Sequence, residues 1–207
     1  MNPKSIIAHE KNLVWHSAHV TLADRIQMFC QIPATVWFTG LSGAGKSTLA
    51  FALEKRLLEM GQASYVLDGD NVRHGLNSNL GFSHEDRTEN IRRVAEVAHL
   101  MNDAGLIVIS AFISPYREDR EVARRIIDPE RFLEVHVSTA LAVCEERDPK
   151  GIYKRARAGQ IADFTGITSP YESPADPVLT LDTSLADVPS CIEKVLGILM
   201  PRTKLTV

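Results

Sequence analysis

Apolar positions along this chain fall into two alternating kinds of segment: short continuous runs, and longer stretches with helical spacing. Thr35-Val36-Trp37-Phe38-Thr39, Ser64-Tyr65-Val66-Leu67, Phe132-Leu133-Glu134-Val135-His136-Val137 and Val178-Leu179-Thr180-Leu181-Asp182 read as strands. So does Leu106-Ile107-Val108-Ile109-Ser110-Ala111-Phe112-Ile113, almost wholly apolar, as a strand covered on both faces should be. Between them, Leu49, Ala50, Leu53, Leu57 and Leu58 recur at helical spacing up to Gly61. Ser83-x-x-Asp86 has the form of a capping box and opens a long helix through Ile91, Val94, Ala95, Ala98 and Met101, ending at Gly105. Further helices are predicted from Arg117 to Ile127, stopped by Asp128-Pro129, from Ala140 to Arg147, and around Ile192, Val195, Leu196 and Leu199.

Ahead of the first strand, Thr21 caps a short helix through Asp24 to Phe29, whose apolar face (Leu22, Ile26, Phe29) suits packing on the domain body or on another subunit. Residues 148–176 break the rhythm, being basic, Gly- and Pro-containing and without apolar periodicity. Five strands alternating with helices predict a doubly wound α/β fold, a parallel five-stranded sheet with helices on both faces. In such sheets ligands bind beyond the carboxyl ends of the strands.

The strand-to-helix junction after Thr39 carries Gly40-Leu41-Ser42-Gly43-Ala44-Gly45-Lys46-Ser47-Thr48, which matches the phosphate-binding pattern G-x-x-x-x-G-K-[ST]. Its glycines let successive backbone N–H groups turn toward phosphate oxygens, and the following helix presents its positive end. Lys46 is placed to reach the β- and γ-phosphates, and the Ser47 hydroxyl to ligate Mg²⁺.

Other candidates lie at the remaining strand ends. Asp68 and Asp70 follow the second strand; they either orient an attacking hydroxyl and hold Mg²⁺ through water, or are solvated acids of a D-G turn. Arg73, Arg87, Arg92 and Arg93 bracket the start of the long helix, and arginine suits bidentate recognition of oxyanions. Arg87, in the first turn, opposes the helix dipole, which makes a purely stabilising role unnatural, and Asn90 shares its face. Phe82 and Phe164 sit in polar surroundings, as stacking platforms for a planar base or as loop anchors. Ser114 follows the third strand, to bond a substrate, to become phosphorylated or, by default, to cap the next helix. Asp148 to Arg157 carries four cations against one carboxylate, a solvated face or a closing lid.

Composition narrows these readings. At 207 residues, with 44% hydrophobic and 24% charged residues, the chain fits one soluble domain. A net charge of −3 and the lack of a basic stripe make nucleic acid an improbable partner, so phosphate-binding charge must be local. No apolar stretch approaches the ~18 residues of a spanning helix, so no membrane association is expected. Met1 to Glu10 lacks the sustained apolar core of a signal peptide. Cys30, Cys144 and Cys191 are odd in number and widely spaced, which suits reduced thiols in a cytoplasm. No N-K-x-D guanine-reading motif supports a nucleotide switch, but a kinase of a sugar or another nucleoside stays open.

Taken together, Phe38 to Thr48, Leu67 to Arg73, Gly81-Phe82-Ser83, Asp86 to Arg93, Phe112 to Tyr116, Asp148 to Gly151 and Phe164-Thr165-Gly166-Ile167 closely resemble the adenylylsulfate (APS) kinase family, a likeness spanning roughly residues 11 to 200. Val14-Trp15-His16 is similar to the start of bacterial members. The resemblance implies a P-loop NTPase-like domain over 35–207, with a lid at about 148–176 and residues 1–34 as an extension. It implies transfer of the ATP γ-phosphoryl group to the 3′-hydroxyl of adenosine 5′-phosphosulfate in sulfate assimilation, with Mg²⁺, as a homodimer, and with possible association with ATP sulfurylase. Carried over by position, Phe82 and Phe164 sandwich the acceptor adenine, and Arg73, Arg87 and Asn90 hold its phosphosulfate and ribose. Ile113, Ser114 and Lys150 complete the pocket, Asp68 meets the acceptor hydroxyl and Asp70 supports it. Thr168 departs from the aspartate that often follows F-T-G-I in the family.

Overall fold

A computed structural model describes residue 14 and residues 16–205. The expected absence of a signal peptide at Met1 to Glu10, and Trp15 of the Val14-Trp15-His16 likeness, lie outside the described residues.

The chain runs α1 (Leu22–Phe29), β1 (Thr35–Thr39), α2 (Lys46–Glu59), β2 (Ser64–Asp68), α3 (Gly69–Arg73), α4 (His84–Asp103), β3 (Ile107–Ala111), α5 (Arg117–Ile127), β4 (Phe132–Val137), α6 (Leu141–Arg147), α7 (Ile152–Arg157), β5 (Leu179–Leu181) and α8 (Val188–Thr203). The five strands pair in the order β2-β3-β1-β4-β5, every pairing parallel. Strand periodicity divides the core in two. Val36 and Phe38 of β1 face α2 and α8, with Leu49, Leu53, Val195 and Leu199. Trp37, between them, faces α4 and α5, with Val94, Ala98, Ala123 and Ile127. The sheet is therefore doubly wound, as the alternation predicts.

Two helices depart from the expectation. Asp68-Gly69-Asp70 is no simple turn: Asp68 Oδ1 accepts the backbone N–H groups of Asp70 at 3.0 Å and Asn71 at 3.3 Å, which starts α3. Helix α7 lies inside the basic stretch thought irregular. Only Tyr153 and Ala156 of its six residues turn inward, too few for a periodic signal, and three cations mask it. Helix α1 has the predicted Thr21 cap, extended to a full box in which Thr21 and Asp24 cap each other's backbone. It lies against the end of α4, where Arg25 Nη1 donates to the Asp103 carbonyl at 2.9 Å. Gly105, with φ of 91°, gives room there: a Cβ would lie 2.8 Å from the Phe29 ring.

Candidate active site

The carboxyl ends of β1, β2 and β3 open into one cleft of about 930 Å³. On its floor the phosphate loop leaves β1 and enters α2. Gly40 lies so close to β4 that a Cβ would stand 2.4 Å from the Val137 carbonyl oxygen. Gly45 holds a left-handed conformation as the N-cap, with no side chain to occupy the first amides of α2, so these stay free for an anion. Lys46 is buried (8% exposed), its Nζ donating to the Leu41 carbonyl at 2.7 Å. Burial, reinforced by the charge of Lys150, pushes its pKa down to about 8.

That depression has a readable consequence. The folded-state value lies below the ordinary 10.5, so without a phosphate the neutral amine gains population as pH rises through 8. A polyphosphate favours the ammonium. Binding of magnesium–nucleotide at pH 8 is expected to take up roughly half a proton, and close to none at pH 6.5. Calorimetry in two buffers of different ionisation enthalpy measures this, and equal heats at pH 8 would show that Lys46 stays charged throughout.

Of the predicted phosphate-loop residues, Ser42, Gly43, Gly45, Lys46, Ser47 and Thr48 line the cleft. Gly40, Leu41 and Ala44 shape it from behind, the Ala44 carbonyl accepting from Thr139 Oγ1 at 3.3 Å and Thr183 Oγ1 at 2.9 Å. Ser47 Oγ donates to Asp68 Oδ2 at 2.7 Å, which joins the proposed metal ligand to the strand-end carboxylate. Asp70 pairs with Lys150 across the cleft.

The opposite wall carries the other predicted residues, Arg73, Phe82, Arg87, Asn90, Ile113, Ser114 and Phe164. The Arg73 guanidinium lies 4.4 Å over the Phe82 ring. Burial and then the neighbouring charge of Arg87 lower the Arg73 pKa, two cations close enough to repel until an anion comes between them. Arg87 Nε donates to the Phe82 carbonyl at 2.8 Å, and its two terminal nitrogens reach Thr165 Oγ1 and the Asp163 carbonyl. Asn90 is buried, its Oδ1 accepting from Asn77 Nδ2 at 3.0 Å. Phe164 meets the Tyr153 ring edge-on at 4.9 Å between centroids, so it is a loop anchor that also faces the cleft. Thr168 Oγ1 accepts from the Phe164 backbone at 2.8 Å, a local cap at the position that departs from the family pattern.

Arg92 and Arg93 do not join them. Both turn to Glu89, whose carboxyl they hold down at about 2, Arg92 contributing most. Ser114 is no helix cap either. The N-cap of α5 is Tyr116, whose own side chain makes no capping bond, and Ser114 Oγ accepts from Trp37 Nε1 at 3.2 Å.

Sequence reasoning missed Arg147, Tyr153 and Thr183. Arg147, on the last turn of α6, donates to Thr183 Oγ1 at 2.7 Å and its carbonyl at 2.9 Å. Tyr153 OH donates to the Ser42 carbonyl at 2.9 Å, fastening α7 to the phosphate loop. Thr183 follows β5, so the strand-end rule already pointed to it; the other two carried no local signal. The lining holds six cationic side chains against three carboxylates, in a chain whose net charge is −3. Such a cleft suits two polyanionic ligands.

Among the described residues, no helix is long and apolar enough to cross a membrane. A family model described as adenylylsulphate kinase matches residues 32–182. The chain is 53% identical over 195 residues to the adenylyl-sulfate kinase of Geotalea daltonii, covering 94% of this chain and 96% of that one. It is 57% identical over 188 residues to the adenylyl-sulfate kinase of Shewanella sp. MR-7, covering 91% and 92%. Among solved structures, the Mycobacterium tuberculosis APS kinase CysC in complex with AMPPNP and APS is similar, with a TM-score of 0.78 and 50% identity over 81% of this chain and 98% of that one.

Proposed function

The chain belongs to the adenylylsulphate kinase family, and from that premise we propose that its cleft moves the ATP γ-phosphoryl group onto the 3′-hydroxyl of adenosine 5′-phosphosulfate. It is an ATP-dependent phosphotransferase of that family. One observation carries the finer reading. The phosphate loop and a second anion-reading set, Arg73 and Arg87 with Phe82 and Phe164, line the same cleft. A neutral sugar carries no charge for Arg73 and Arg87 to read, whereas two rings and two arginines together suit a base-bearing anion.

In this reading the amides of residues 43–48 and Lys46 grip the β- and γ-phosphates of ATP. The acceptor adenine stacks between Phe82 and Phe164, and Arg73, Arg87 and Asn90 take its anionic and ribose groups. Ile113, Ser114 and Lys150 close the pocket around it. Asp68 orients the hydroxyl and receives its proton, with Asp70 in support. The 3′-oxygen attacks the γ-phosphorus directly while the bond to the β,γ-bridging oxygen breaks and ADP leaves, since transfer of this kind needs positioning and charge stabilisation more than covalent chemistry. Ser114, 2% exposed with its Oγ engaged by Trp37, is better placed to hold the pocket than to carry phosphate.

The oxygen donors fit Mg²⁺. Ser47 Oγ and the Asp68 carboxylate lie within one hydrogen bond of each other. No cluster of three His, Cys, Asp or Glu residues occurs among the described residues, so the phosphates and water would supply most ligands, as Mg²⁺ prefers. When bound, the ion would neutralise charge on the transferring phosphoryl group.

The same proposal takes residues 148–176 as a lid that excludes water as a competing acceptor, and residues 1–34 as an extension packing on the domain or on a dimer partner. It includes a cytoplasmic setting, a homodimer and contact with a sulfurylase. Phe51 and Leu58, exposed seven residues apart on one stripe of α2, support self-association. The deciding experiment is a coupled assay with ATP, Mg²⁺ and a panel of acceptors. Turnover with adenylylsulfate is expected; turnover with another acceptor and none with adenylylsulfate would sink the reading.

A further inference from the structure

We infer that Arg120 is a positioning residue for the acceptor, holding the cleft-lining residues 113–115 and the root of the lid, residues 171–173, in one register. Arg120 is 2% exposed, and it is not spent on a simple ion pair. Its Nε donates to Glu134 Oε1 on β4 at 2.7 Å. Its other two nitrogens go to backbone carbonyls of two adjacent segments, Nη1 to Ser114 and Nη2 to Glu172, each at 2.7 Å. A guanidinium fork serves three acceptors in a plane; the single nitrogen of a lysine does not.

The two segments it joins are stitched together elsewhere. The Glu172 N–H donates to the Pro115 carbonyl at 2.9 Å, and the Arg117 N–H to Glu172 Oε2 at 2.8 Å. A parallel tie runs from the Tyr171 hydroxyl to Thr39 Oγ1 at 3.0 Å, and from Thr39 Oγ1 to the Ile113 carbonyl at 2.7 Å. Thr39 is the last residue before the phosphate loop. Ser114 needs such a clamp, because its φ of 39° is a left-handed conformation that a non-glycine residue keeps only when its surroundings impose it. A buried ion pair alone would be weak grounds for a role in function. Here one bond ends on the backbone of cleft-lining Ser114 and another on the backbone of Glu172, so the fork transmits the position of the lid root to Ile113 and Ser114.

The inference rests on the adenylylsulfate reading for its kinetic consequence and on no substrate for its structural one. In Arg120→Lys, which keeps the charge opposite Glu134, amide hydrogen exchange is expected to rise together at residues 113–114 and 171–173 and to stay unchanged in α2. The KM for adenylylsulfate should rise about tenfold, with the KM for ATP within about twofold. Unchanged exchange in both segments, or an equal rise in both KM values, overturns the inference. Where Arg120→Lys fails to fold, Tyr171→Phe decides, since it removes only the hydroxyl tie. A threefold or so rise confined to the acceptor KM is expected, and unaltered kinetics overturns the inference. Loss of adenylylsulfate turnover in the unaltered chain would instead sink the functional reading and leave the exchange result to stand by itself.

Discussion

Replacing Lys46 by alanine is expected to lower kcat/KM roughly 10²- to 10⁴-fold, about 3–5 kcal/mol of transition-state stabilisation. The ammonium is the buried cation of the phosphate loop, and charge on the transferring group is where a kinase does most of its work. The same substitution should leave the unfolding midpoint of the nucleotide-free chain nearly unchanged. Lys46 makes one hydrogen bond, to the Leu41 carbonyl, and its burial already disfavours the charged form, so alanine loses a contact but also removes a desolvated charge. Steady-state kinetics with a thermal melt separates the two effects. A near-normal kcat/KM would refute the central role of this side chain.

Phe164→Ala comes next in size. Stacking of a base on an aromatic ring contributes about 1–3 kcal/mol, so the KM for adenylylsulfate should rise roughly 10- to 100-fold while that for ATP moves little. The ring also packs edge-on against Tyr153 and on the α2-side core, so some stability is lost with it. The comparison that matters is the ratio of the two KM values at a temperature where the variant is folded. Equal rises would reduce Phe164 to a loop anchor, the plainer of the two roles its polar surroundings allow.

How legible these features were depended on how local their cause was. The central strands β1 and β3 announced themselves because a strand buried on both faces is apolar nearly throughout, whereas the order of the strands was not legible along the chain. Thr21, Ser83 and the glycines of the phosphate loop act within a few residues of themselves, so spacing revealed them. Of the short helices, α3 hangs on the adjacent Asp68, whose D-G sequence also fits a turn, and α7 on Tyr153 reaching the distant Ser42 carbonyl. Arg147 and Arg120 are set by contacts 36 and 52 residues away, to Thr183 and Glu172, and no window of sequence shows that. The four arginines around the start of α4 looked equivalent along the chain. Helical phase and a nearby glutamate divided them, Arg73 and Arg87 to the cleft, Arg92 and Arg93 to Glu89.

The strand order β2-β3-β1-β4-β5 has an evolutionary consequence. Everything proposed to hold the donor triphosphate sits on one continuous stretch, the loop from β1 into α2, in the middle of the sheet. The proposed acceptor contacts come from separate segments, the turns after β2 and β3, the start of α4 and the excursion between α6 and β5. Mutation can therefore retailor the recipient of the phosphoryl group segment by segment while the donor machinery is inherited intact. A fold arranged this way is suited to diversify into kinases for many small molecules.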